Sequence, residues 1–146
     1  MKPNLRRAPA ILPHSSPDCP YSRLLLFAMR RMAAGGLNDA HAAHALIAGF
    51  GINFRRPLVL LRALMAEMSR VSGKTLLIAP CCCGRMTDDE ARMIAAISGS
   101  NDSPAAAARM LGVLLNIETP LGVLTSAQAV ESCFADLGMP LSPIED

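Results

Sequence analysis

The sequence predicts an all-α fold: a compact single-domain bundle of about six helices. Three observations carry that prediction. Half of the 146 residues are hydrophobic, yet only five are aromatic (Tyr21, Phe27, Phe50, Phe54 and Phe134). Ala, Leu and Met therefore carry the burial, and they suit helices better than strands, which favour β-branched and aromatic side chains. The apolar residues recur at three- and four-residue spacings between recognisable helix starts and stops. The chain is also long enough for one core and too short for two comfortable ones.

Each element follows in order. Residues 1–20 hold five of the eleven prolines and no periodicity, which predicts a disordered or extended N-terminal tail. The helical domain spans 21–140, and residues 141–146 form a C-terminal tail. The first helix runs from about Ser22 to Ala34, with Leu25, Met29 and Met32 as its stripe and Leu26 and Ala33 beside them. Arg23, Arg30 and Arg31 are placed away from that stripe, and Gly35-Gly36 stops the helix. Asn38 or Asp39 caps a second helix, "AHAAHALIAGF". Pro57 opens the third, "PLVLLRALMAEMSRVS", whose wide apolar arc marks a central helix. "KTLLIAP" is the one strand-like run. Being isolated, it reads as a short extended connector before the Cys81–Cys83 loop.

Thr87-Asp88-Asp89-Glu90 is a capping box, with a cap hydroxyl, a Glu three residues later, and acids at the positive end of the helix dipole. It opens a fourth helix to about Ser98. Ser103-Pro104 starts a fifth, "PAAAARMLGVLLN". Thr125-Ser126-Ala127-Gln128 reads as another capping box, opening a sixth helix that ends near Leu137.

The formal net charge of +2 conceals an asymmetry. Residues 1–74 carry eleven Lys/Arg against three Asp/Glu, and residues 75–146 carry three against nine. The favoured explanation is that the two halves face and neutralise one another, with Arg55 and Arg56 paired to the Asp88-Asp89-Glu90 cluster. Arg55 and Arg56 otherwise oppose the helix dipole ahead of Pro57, so they are also candidates for an acidic partner or a phosphate. Nucleic-acid binding rests only on these arginines and the basic tail. The helix that would read bases is almost wholly apolar, and stacking aromatics are scarce. No apolar run approaches the roughly 18 residues that a membrane span needs. Pro9, Pro13 and His14 interrupt what an export signal would keep apolar, so a cytoplasmic location is expected.

Candidate chemistry centres on "APCCCGRMTDDE", in which Cys81, Cys82 and Cys83 adjoin. Packing as small hydrophobes is the favoured reading, although three in succession cannot all point inward. A redox role is the next: the thiols lie just upstream of a helix N-terminus with Arg85 nearby, which favours thiolate, while Asp88, Asp89 and Glu90 oppose it. A zinc or iron–sulfur site is the third. Cys81 and Cys83 would need two further ligands, with Cys133, His41 and His44 as the candidates, and the spacing matches no familiar metal motif. No cofactor is predicted. His41 and His44 read as exposed positions on an Ala-rich helix. There is no nucleophile elbow and no phosphate loop.

Four stretches, "LLLFAMRRMAAGGLNDA", "GFGINFRRPLVLLRALMAE", "APCCCGRMTDDEA" and "TSAQAVESCFADLG", resemble a family of short bacterial proteins known only as a domain of unknown function. The resemblance covers about residues 13–140. Its most distinctive piece is the cysteine run followed by Arg85-Met86-Thr87. It implies a bacterial, single-domain protein and carries no activity, ligand or partner.

The expected role is therefore non-enzymatic, acting through an unidentified protein partner or self-association. The alternative is a thiol-based redox or metal-responsive regulator built on Cys81, Cys82 and Cys83, with Cys133 assisting and Arg85 and Thr87 in support.

Overall fold

The computed structural model describes residues 12–142. Residues 1–11 of the expected N-terminal tail and 143–146 of the expected C-terminal tail lie outside the described residues. Six α-helices are present among them: α1 (Pro20–Gly35), α2 (Ala40–Phe50), α3 (Arg55–Val71), α4 (Asp88–Ser98), α5 (Pro104–Leu115) and α6 (Leu121–Asp136). The bundle is all-α apart from two two-residue strands, β1 (His14–Ser15) and β2 (Arg85–Met86). They pair antiparallel, His14 opposite Met86 and Ser15 opposite Arg85.

α3 is the central helix that its wide apolar arc predicts, and it packs most extensively on α6. Leu58, Leu61, Leu64 and Met68 of α3 are buried, as are Val123, Ala127, Val130, Cys133 and Phe134 of α6. Burying each such leucine is worth about 1.5–3 kcal/mol relative to leaving it in water. Phe50, at the end of α2, meets Phe134 edge-to-face with centroids 4.9 Å apart and planes at 86°. α1 packs on α2, and α4 on α5, so the remaining helices cover the flanks of the α3–α6 seam. At Gly73 the chain leaves α3 so close to the end of α5 that a β-carbon would lie 2.7 Å from the Asn116 carbonyl oxygen.

Element boundaries differ from the expectation in three places, each for a local reason. α1 starts at Pro20, two residues early, because proline fits the first helical turn. α3 starts at Arg55 rather than Pro57. A 3₁₀ turn, Gly51–Asn53, leaves Phe54 already in the right-handed helical region, and Pro57 still falls where the helix has no use for its N–H. The second expected capping box does not exist. α6 begins at Leu121 behind Pro120, and the Thr125 hydroxyl donates back to the Leu121 carbonyl at 2.9 Å from inside the helix.

Candidate functional site

The first capping box is real. Thr87 Oγ1 accepts the Glu90 N–H at 3.0 Å, and Glu90 Oε1 accepts the Thr87 N–H at 3.0 Å. Glu90 does far more than cap. Its side chain is 1 % exposed and receives the guanidinium of Arg30, itself 3 % exposed, through two parallel hydrogen bonds of 2.6 and 3.0 Å. Glu90 Oε2 also accepts the Ala79 N–H at 3.3 Å. The placement of Arg30 away from the apolar stripe is therefore wrong. It stands one helical turn beyond Leu26, on the buried side of α1.

Arg30 also fixes the cysteine loop. Nη1 donates to the Cys83 carbonyl and Nη2 to the Arg85 carbonyl, both at 2.8 Å. The loop is held from the other side as well. The Arg85 guanidinium donates to the carbonyls of Leu12 (2.8 Å) and Pro13 (2.9 Å), and the Ser16 hydroxyl donates to the Gly84 carbonyl (2.7 Å). His14, given no role by the sequence, hydrogen-bonds Asp88 at 2.6 Å. Bidentate Arg–carboxylate geometry, with four of the five guanidinium N–H groups bonded, is what a buried ion pair needs to offset its desolvation.

On this scaffold Cys82 is exposed and Cys81 and Cys83 are half-buried. Arg31 Nη1 lies 4.0 Å from Cys81 Sγ. Two hydrogen bonds of 3.1 Å to Asp39 aim that guanidinium and hold the Asp39 carboxyl below the usual carboxylate range. Cys133 is fully buried in α6. Burial pushes its thiol up, against the attraction of Arg56, and its charged neighbours are Arg56 and Asp136. Among the described residues no three His, Cys, Asp or Glu side chains converge as a metal site would require. His41 and His44 are both exposed on α2.

The expected pairing of Arg55 and Arg56 with the acidic cluster does not occur. Arg56 meets Asp136 at 3.4 Å, because the start of α3 packs near the end of α6. The cluster turns instead to α1, the connector and β1: Glu90 to Arg30, Asp89 to Lys74 at 3.7 Å, and Asp88 to His14. All four of these contacts join the basic half of the sequence to the acidic half. Arg55 is exposed.

The connector, residues 74–80, links this hub to a second feature. Asp89 Oδ2 accepts the Leu77 N–H at 2.8 Å, and the Thr87 hydroxyl donates to the Leu77 carbonyl at 2.7 Å. Pinned this way, Leu76 and Ile78 form one wall of an open groove of about 660 Å³, with Met32, Leu37, Met65 and Met93 among its other walls. Arg70 and Lys74 also line it. Their carboxylate partners, Glu67 and Asp89, lie deeper: the cations are 69 % and 38 % exposed, the acids 26 % and 13 %. The groove was not legible in the sequence, which shows the methionines but not the gap between α1, α3 and the connector.

No helix among the described residues is long and apolar enough to cross a membrane. No curated protein and no solved structure matches the chain. A family model does match, over residues 12–115. That span takes in Arg30, the cysteine loop, Glu90 and every residue lining the groove, and stops short of α6 and Cys133. The chain belongs to this family of unknown function, DUF6628.

Proposed function

We propose that this protein is a non-enzymatic interaction module whose groove takes an amphipathic helix from a protein partner, with acidic residues flanking the apolar stripe of that helix. The observation that carries the reading is the 660 Å³ methionine-rich groove with outward cations at its edge. Methionine is unbranched and polarisable, so a surface built from it adapts to an inserted apolar face. The exposure of Arg70 and Lys74 over their own carboxylates presents positive charge to whatever enters.

A diazirine analogue of methionine at position 65 tests this in cells. The expected product joins position 65 to a peptide with apolar residues three and four apart and acids beside them. Its yield falls when Arg70 and Lys74 are both changed to Glu. Products confined to this chain, or a yield indifferent to those two substitutions, overturn the reading.

A second reading, a thiol-based redox regulator, is favoured by one arrangement: exposed Cys82 on a loop fixed by Arg30 and Arg85, with Arg31 beside Cys81. It predicts that a trivalent arsenical, which bridges neighbouring thiols, reacts with the folded protein at Cys81–Cys83. Reaction only after unfolding removes it.

A further inference from the structure

The outward face of α3 is neither core nor an ordinary solvated surface. Residues 51–53 turn as a 3₁₀ helix and Phe54 is already in the right-handed helical region, so Ile52 lies on the path that α3 continues. Side chains three and four apart on such a path share a face. Ile52, Arg55, Val59, Arg62 and Ala66 therefore form one row, and Ala66 is itself part of the groove wall. Ile52 is 94 % exposed and Val59 60 %. Single exposed apolar side chains are ordinary. Two on one row, with the exposed Arg55 between them, make an amphipathic edge that runs into the groove.

The charge on this face is one-sided. Residues 40–66, which make α2 and most of α3, contain three arginines, two histidines and no Asp or Glu. Arg62 donates through Nε to the Leu37 carbonyl at 2.8 Å, and Leu37 lines the groove, so this guanidinium stands where the row meets it. The acids that flank the stretch are already engaged, Asp39 by Arg31 and Glu67 by Arg70, and Asp136 of α6 pairs with Arg56. Charge complementarity therefore calls for an acidic occupant. A second copy of the same face would set arginine against arginine, and a flat bilayer cannot follow the row into a groove. A rod with acids along its edges fits both.

We infer that the row from Ile52 to Ala66 continues the groove as one docking track, occupied by the same acidic amphipathic helix of a protein partner, extended past the groove. The track rests on the groove reading above and adds to it a length and a register. Ile52 and Ala66 are fourteen positions apart, so the partner helix gains about four turns, or about 21 Å. Its apolar side chains cover Ile52 and Val59. Its acids fall beside Arg55 and Arg62, and so recur at the seven-residue interval that separates those two arginines.

The test uses the full chain and two synthetic peptides, both hydrocarbon-stapled so that each is helical before it binds. Each has leucines three and four apart with glutamates beside them. The short one has about twelve residues, enough for the groove, and the long one about fourteen more. Calorimetric titration should give the long helix a Kd about tenfold tighter on the wild type, because Ile52 and Val59 are covered as well. Arg55→Glu with Val59→Asp changes two exposed positions outside the groove. On that double variant the short helix should bind as it does to the wild type, and the two constants should agree within about twofold. Equal binding of both helices by the wild type, or a gain from length that survives the double variant, overturns the inference and leaves the groove reading standing. Binding of neither helix overturns the groove reading and this one with it. With no gain from length, retention on anionic phospholipid vesicles or dimerisation, either one lost in the double variant, gives the face to a membrane surface or a second copy and likewise overturns the inference.

Discussion

The α3–α6 seam and the Arg30–Glu90 hub are built on opposite principles. The seam is apolar at its centre, with Leu61, Leu64, Ala127, Val130 and Phe134 all at 0 % exposure. Its strength is area removed from water, which is non-directional, and side chains of similar volume can be exchanged there at modest cost. The hub gathers a charged pair, a capping box and three backbone carbonyl or amide groups within the same interior. Such a network adds little net stability over a well-packed apolar equivalent, but it is unforgiving of a missing member. The seam holds the domain together; the hub decides where the cysteine loop and the groove wall stand.

Breaking the hub should give the largest effect. Arg30→Met or Glu90→Leu alone leaves a buried charge without its partner and should cost about 3–5 kcal/mol in denaturant unfolding. The double variant should lose much less than the sum, while amide exchange at Cys83–Thr87 rises and stays high. Additive losses would dissolve the distinction between the two regions. Next comes the seam: Leu61→Ala should cost about 2–5 kcal/mol through its cavity. Exchange at Cys83–Thr87, measured far below the unfolding midpoint, should not change. The smallest effect belongs to Arg56→Ala, which removes a pair with side chains 57 % and 60 % exposed. It should cost at most about 1 kcal/mol, and that loss should vanish in high salt.

How much was legible follows the same divide. The helices were readable because apolar spacing and glycine or proline punctuation are local signals, and the box at Thr87–Glu90 was readable because both of its partners lie within four residues. Arg30 was misplaced because its partners lie at residues 83, 85 and 90. A charge on a helix is read as solvated until a distant acid is shown to meet it, although the position one turn after Leu26 was a usable hint. Thr125 was misread because a hydroxyl three residues before Gln caps a helix or bonds back within one equally well, and only Pro120 tells which.

The short pairing of β1 with β2 has a consequence for the order of folding. On an open chain, joining residues 12–16 to 84–88 closes a loop of roughly seventy residues, an entropic barrier of about 4 kcal/mol for a few backbone hydrogen bonds. Once Arg30 has docked on Glu90, the free path between the two strands shrinks to some twenty residues, and the same relation lowers the barrier by about 1 kcal/mol. The bridge is thus a late event that depends on an earlier one. Loss of the Arg30–Glu90 pair should therefore release the cysteine loop and the stretch before α1 together.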